Sequence, residues 1–331
     1  MRIALVSDAW RPQTNGVVRT LGETVRCLAV RGHDVRTVTP VPFATFPCPT
    51  YPEIRLAAWP WSRVARILDS FRPDAVHVAT EGPLGLAARA WCRRRQLPFT
   101  TSFHTRFPEY VRLRAPVPES WTWRLLRWFH DPAVRTMVPT ASQQADLAAH
   151  GFRDPVLWAR GVDTDLFRPD RRGELPGPGP ALMYMGRVAV EKNLEAFLDL
   201  DVPGTKWVVG GGPALEAFRE RYPGARFTGP KYGTALATLL ASADVFVFPS
   251  RTDTFGVVLL EAMASSLPVA AFPVPGPRDV VRQGRTGVLD EDLAAAIAGA
   301  LQLDRAACRQ QALEHTWERA TAQFAGNLAP A

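Results

Sequence analysis

The sequence predicts an α/β protein made of two Rossmann-like domains in tandem, and three observations carry that expectation. Short apolar runs alternate with helix-length amphipathic stretches, the pattern of parallel β-α-β units. The alternation breaks at a proline- and glycine-rich stretch, RPDRRGELPGPGPA (residues 168–181), and then starts again. The 331 residues also exceed the roughly 250–300 at which one hydrophobic core stops growing.

In the first half, Ile3 to Val6 reads as a buried strand, and a polar loop with Asn15-Gly16 leads into a helix over Val17 to Val30. Gly32 is its stop signal. Val35 to Val38, Ala75 to Val78 and Phe99 to Ser102 are further strands, with Leu84 to Arg95 helical. In the second half, strands are expected at 181–185, 206–209, 226–228 and 245–248. Helices are expected at 194–200, 214–222 and 234–241, and from Phe255 onward. Ligands of such sheets bind at the carboxyl ends of the strands, so those loops are where chemistry should lie.

Composition narrows the class. Hydrophobic residues make up 47% and charged residues 21%, which suits a globular chain rather than a disordered one. The net charge of +7 favours anionic partners: phosphates, nucleic acid or an acidic membrane face. Four cysteines without a C-x-x-C pair argue against a disulfide framework or a zinc site and fit a reducing cytoplasm. The first residues, MRIALVSDAW, are too short an apolar run for a signal peptide. No apolar run reaches the ~18–20 residues of a membrane span.

Four strand ends carry charge or glycine. SRTDTFGVVLLEAMA (250–264) places Asp253 just before a helix start and Glu261 about two turns further on. A helix start offers free N–H groups and partial positive charge, so both acids can face one ligand lying there. The plainer alternative is a helix-capping Asp253 and a surface Glu261. GRVAVEKN (186–193) brings Gly186, Arg187 and Lys192, the last at the head of the next expected helix; two cations beside a helix start suit a diphosphate. VVGGGP (208–213), with Gly211, lets backbone approach a ligand closely, and TGPKYG (228–233) adds Lys231. In the first half, His104 follows a strand end, whereas His77 within AVHVAT reads as a core histidine. SWTWRLLRWFH (120–130) puts Trp121, Leu125, Trp128 and Phe129 on one helical face, with Arg124 and Arg127 toward its edge. Tryptophan with arginine suits a membrane interface, and a core-packing face is the alternative. DTD (163–165) and DED (290–292) read as structural turns or caps rather than metal motifs.

With those stretches in order, the whole chain resembles the retaining glycosyltransferases of family four, which have the GT-B fold. PQTNGVVRTL, TSFHTRFPEY, GVDTDLFRP, GRVAVEKN, SADVFVFPS and EAMA match its landmarks, and Asp253 to Glu261 keeps the E-x(7)-E spacing with Asp in the first place. Ser266 stands where a glycine is usual. Within the family the chain is most similar to bacterial diacylglycerol glycosyltransferases and α-mannosyltransferases.

The resemblance implies two Rossmann-like domains facing across a cleft: an acceptor domain over 1–168, a donor domain over 169–313, and a helix over 314–331 crossing back to the first, with Trp317 packing at that junction. It implies that Glu261 binds the ribose and Asp253 the transferred sugar. Thr254, Phe255, Gly256 and Val257 would serve the sugar and phosphates, and Arg187 and Lys192 the diphosphate. Gly16, Gly186 and Gly211 would come close to the donor, Lys231 would lie near the base, and His104 would reach the sugar. The expected reaction is transfer of a hexose or uronic acid from a nucleotide sugar, UDP-linked in preference to GDP-mannose, to the hydroxyl of a membrane lipid such as diacylglycerol. The enzyme would need no metal or cofactor, bind no nucleic acid, and work in the cytoplasm on the inner face of the membrane. A GDP-mannose-dependent α-mannosyltransferase is the alternative within the family; a nucleotide-sugar 2-epimerase and a non-catalytic nucleotide-sugar binder are the alternatives outside it.

Overall fold

The computed structural model describes every residue except 14, 49–50, 105–117, 254 and 331, and for 51–53 the backbone alone. The chain divides into two compact units. One comprises Met1–Arg160 with Trp317–Ala331, the other Gly161–Thr316.

The first unit is built on a six-stranded sheet with order β2-β1-β5-β6-β7-β8. Its strands are β1 (Arg2–Val6), β2 (Asp34–Val38), β5 (Ala75–Val78), β6 (Thr100–Ser102), β7 (Arg135–Val138) and β8 (Pro155–Leu157). All pairings are parallel, Ile3 lying between Val35 and Ala75. Ile3 to Val6 are fully buried, as an all-apolar central strand covered on both faces must be. The helix Gly16–Val30 starts where Asn15 accepts the Val18 N–H at 3.0 Å and ends before Gly32, whose φ of 79° is the left-handed stop expected there. An antiparallel hairpin, β3 (Thr45–Cys48) with β4 (Tyr51–Ala57), is an addition that periodicity did not signal. The C-terminal helix Trp317–Asn327 belongs to this unit: Phe324 packs with Ile3, Leu5 and Trp158, and Trp317 with Cys27.

The second unit carries β9 (Ala181–Met185), β10 (Thr205–Val209), β11 (Arg226–Gly229), β12 (Val245–Phe248), β13 (Val269–Ala271) and β14 (Gly287–Leu289). Their order is β11-β10-β9-β12-β13-β14, all parallel. Chain order therefore reverses between β9 and β12, and a doubly wound sheet opens its ligand crevice at that point. Val245 to Val247 are fully buried.

One element departs from expectation. In place of a helix over 194–200 headed by Lys192, the chain makes a 3₁₀ turn, Val190–Lys192, and then a four-residue helix, Glu195–Leu198. Asn193 separates them with φ 54°, a left-handed conformation that asparagine tolerates, while its amide donates to the Pro249 carbonyl at 3.1 Å. A tertiary hydrogen bond thus overrides local helix continuity.

Candidate active site

The site grows from the two strand ends at the reversal, β9 and β12. After β9 the chain passes through Gly186 and half-buried Arg187, whose carbonyl accepts from the Tyr184 hydroxyl at 2.7 Å. The neighbouring end of β10 leaves no room for a side chain. A Cβ on Gly210 would lie 1.8 Å from the Gly186 carbonyl oxygen, and one on Gly212 2.3 Å from that of Val188. Gly211 anchors the same stretch, its carbonyl accepting from the Val188 N–H at 2.9 Å.

The loops after β9 and β12 are stitched together. Besides the Asn193–Pro249 bond, the Thr252 hydroxyl donates to the Glu191 carbonyl at 3.4 Å, and Lys192 Nζ donates to Asp253 Oδ1 at 2.6 Å. The Lys192 and Asp253 side chains are each 18% exposed, so this pair is partly shielded rather than a freely solvated surface bridge. The other oxygen, Asp253 Oδ2, is buried and has no hydrogen-bond partner. A carboxylate oxygen left so is poised to accept from a hydroxyl-bearing ligand. Asp253 does not cap the following helix; its partner is Lys192.

That helix is Val257–Ala264, entered through Gly256 at φ 76°, where a Cβ would press within 3.1–3.2 Å of Leu259 and Phe248. Among the described residues no side chain caps it and no acidic residue stands in its first turn, so its N-terminal N–H groups and positive dipole end could serve an anion. Phe255 is buried and wedges the entry; Val257 is half-buried. Glu261 is only 1% exposed, not a surface acid. It lies four residues after Val257, hence on the same helix face, and helical side chains lean toward the N-terminus, toward the entry. Lys231 is exposed in the loop after β11. Thr254 lies outside the described residues.

Two contributors escaped sequence reading. Ser250, fully buried at the end of β12, has a hydroxyl with no hydrogen-bond partner. Gly276, at φ 91°, brings its backbone against the Asp253 carbonyl, where a Cβ would sit at 2.9 Å. A lone serine and a Val-Pro-Gly-Pro run carry no signal of this in the sequence.

The first unit holds the remaining expected residues. Gly16 opens its helix at an exposed position, with open space around it. His104 sits in a polar cluster at the carboxyl ends of β5 and β6: Nε2 is 2.8 Å from Ser102 Oγ, and Nδ1 is 3.1 Å from an Arg160 guanidinium nitrogen. Burial, then Arg160, His77 and His130, hold its pKa well below the usual histidine range. His77 is the satisfied core histidine expected, bonded to Thr100 and Ser102, and burial pushes its pKa down to about 3. On the helix Glu119–His130, Trp121, Leu125 and Trp128 are 65%, 63% and 50% exposed, with Arg124 and Arg127 also exposed. Phe129 corrects the expected face: it turns inward and is buried with Ala87, Ala88 and Trp91. No helix among the described residues is long and apolar enough to cross a membrane.

Comparison with known proteins places this geometry. Residues 14–166 match the family description Glycosyltransferase Family 4, and residues 179–303 match Glycosyl transferases group 1. The chain is 32% identical to a GDP-mannose-dependent alpha-mannosyltransferase of Mycobacterium tuberculosis, over 87% of this chain and 83% of that protein. It is 25% identical to the alpha-monoglucosyldiacylglycerol synthase of Streptococcus pneumoniae, over 91% and 78%. Sucrose-phosphate synthase from Thermosynechococcus elongatus has a similar fold, with a TM-score of 0.77 and 21% identity over 98% of this chain and 97% of that one. Two parallel six-stranded Rossmann-like sheets, the crevice at the β9–β12 reversal and matches across both halves lead to one conclusion: the chain belongs to glycosyltransferase family 4, has the GT-B fold, and is a nucleotide-sugar-dependent glycosyltransferase.

Proposed function

We propose that the chain transfers mannose from GDP-mannose to an acceptor hydroxyl, with retention at the anomeric carbon and without a metal ion. The observation that carries the site is Asp253, one oxygen held by Lys192 and the other buried and unsatisfied, beside an uncapped helix start. The choice of donor rests on the mannosyltransferase relative, at 32% identity, against 25% for the glucosyldiacylglycerol synthase. That reverses the preference for UDP-sugars drawn from sequence alone.

In this reading the diphosphate sits at the start of helix Val257–Ala264, near Phe255, Gly256 and Val257, with Arg187 and Lys192 supplying positive charge. An ammonium has three donors, so Lys192 can hold Asp253 and a phosphate oxygen together. Stabilising charge on the departing nucleoside diphosphate is often the largest catalytic contribution. Glu261 holds the ribose, Asp253 accepts a hydrogen bond from a mannose hydroxyl, and Lys231 lies toward the base. For Gly16 and His104 of the first unit, the proposed partners are the donor's phosphates and its sugar. The acceptor attacks on the face the diphosphate leaves, and a leaving phosphate oxygen takes its proton.

The acceptor we propose is a membrane lipid. Exposed Trp121, Leu125 and Trp128, bordered by Arg124 and Arg127, form an amphipathic surface suited to anionic headgroups, and the net charge of +7 adds to it. The protein would then act peripherally on the cytoplasmic leaflet. The test is a donor screen with GDP-mannose and UDP-hexoses, with and without vesicles containing diacylglycerol and anionic lipid, reading free nucleoside diphosphate. GDP release from GDP-mannose that rises with vesicles is expected. Release from a UDP-hexose alone would overturn the donor, release indifferent to vesicles the lipid. Sugar isomerised without any acceptor would point to an epimerase.

A further inference from the structure

We propose that Arg160 is a positioning residue that fixes the single ring proton of His104 on Nε2 and so removes that histidine from any role as a base. The inference rests on the reading above that His104 meets the sugar, and it defines in which chemical form it does so.

The argument is a count of donors and acceptors. A guanidinium only donates, so the His104 Nδ1 that lies 3.1 Å from Arg160 must be the acceptor. The imidazole is then neutral, with its one proton on Nε2, 2.8 Å from Ser102 Oγ. Ser102 can receive it, because its own hydroxyl donates to the Ala79 carbonyl at 3.3 Å. Ser102 has a second lone pair for the His77 Nε2–H at 3.1 Å, which leaves His77 Nδ1 to accept from Thr100 Oγ1 at 2.9 Å. Every proton in the chain from Arg160 through His104 and Ser102 to Ala79 thus has one placement.

Arg160 is itself held for this task. It is 4% exposed, donates to the Trp158 and Ala159 carbonyls, and lies 4.6 Å over the Trp158 ring. No carboxylate pairs with it among the described residues. Among the described residues, the charged or titratable groups that bear on His104 are Arg160 following β8, His77 on β5, and His130 on the helix Glu119–His130. All three oppose a second ring proton. The only lone pair His104 could use as a base is thereby covered by a cation, in keeping with a transfer in which the leaving phosphate takes the acceptor proton.

The test is ¹⁵N-histidine NMR with the rate–pH profile of the full chain, on wild type, Arg160→Met and Arg160→Lys. Wild type should show His104 as the Nε2–H tautomer, with no titration between about pH 5.5 and 7.5. Arg160→Met should mix the two neutral tautomers and cost about tenfold in kcat, while burial, the larger cause of the low pKa, keeps the ring uncharged. Arg160→Lys, again a pure donor, should restore the wild-type spectrum. An Nδ1–H tautomer in wild type, or an unchanged His104 signal in Arg160→Met, overturns the proposal, and the wild-type spectrum decides even if Arg160→Met does not fold. Unimpaired transfer by His104→Gln would instead remove the reading that His104 meets the sugar.

Discussion

The two sheets reverse chain order at corresponding places, between β1 and β5 in one unit and between β9 and β12 in the other, yet treat the helix start there in opposite ways. In the first unit the helix is Pro83–Arg95. Asp8, just past β1, occupies its N-terminus: Oδ1 accepts from Leu84 N at 2.9 Å, and Oδ2 from Gly85 N at 3.2 Å and Thr80 Oγ1 at 3.0 Å. Gly82 is flush against this carboxylate; a Cβ there would lie 2.4 Å from its carbon. In the second unit the corresponding helix, Val257–Ala264, has no side-chain cap among the described residues. One switch point carries a resident carboxylate; the other is the helix start proposed above for the donor diphosphate. The comparison explains why the donor is assigned to the second unit although both sheets offer a crevice by topology alone.

The strongest way to break the comparison is to remove the acid proposed to receive the donor's sugar. Asp253→Ala should lower kcat about a thousandfold while GDP affinity, read by calorimetry, changes little, since the phosphate contacts are kept. Equal loss of both would mean that Asp253 acts through the Lys192 loop rather than on the sugar. The second way is to give the donor helix its own anion. Val257→Asp, in imitation of Asp8, should weaken GDP binding about a hundredfold; unchanged affinity would move the diphosphate away from that helix start.

A third experiment sharpens the other side. Burial pushes the Asp8 pKa up from 3.8 to about 6, against the lowering effect of the Leu84 and Gly85 N–H bonds. Because the folded pKa lies above the unfolded one, this residue's contribution to stability is fully present below pH 3.8 and is lost as pH rises through 6, about 3 kcal/mol in all. His77 acts in the opposite sense: its folded pKa of about 3 lies below the unfolded value, so stability falls as pH drops through 6.5. Denaturant titrations of Asp8→Asn should therefore show about 1–3 kcal/mol of destabilisation at pH 4.5, where wild-type Asp8 is largely neutral, with the gap to wild type narrowing toward pH 7. A gap that stays constant with pH would mean that Asp8 does not titrate as described. The smallest expected effect is on the outer surface: Trp121→Ala with Trp128→Ala should reduce binding to anionic vesicles about tenfold and leave release from GDP-mannose without vesicles unchanged.

How far the sequence could carry this depended on distance along the chain. The strands of the second unit were legible because Ala181–Met185 and Val245–Phe248 are unbroken apolar runs, and the 253–261 spacing survived because both residues belong to one loop and helix. The helix headed by Lys192 was misjudged because Asn193 bonds to Pro249, 56 residues away. Phe129 was placed with the tryptophans, although 129 lies at the edge of that helical face and the apolar layer of Trp91 and Ala88 draws it in. The Arg160 partner of His104 was not legible, because Arg160, again 56 positions on, meets it only once β6, β7 and β8 are in register. The short strands β13 and β14, three residues each, carry too little periodicity to be read at all.

The backbone-on-backbone packing of Gly210 and Gly212 against Gly186 and Val188 has one more consequence. Where main chain meets main chain there is no side chain to exchange, so the floor of the proposed donor crevice is closed to mutational drift. A lineage changing its sugar, or an engineer attempting the same, can write the change only in the side chains around that floor, at positions such as Ser250, Asp253 and Lys231. A saturation library at those three sites should recover switches in donor far more often than one aimed at the glycines, which should yield mostly unfolded chains.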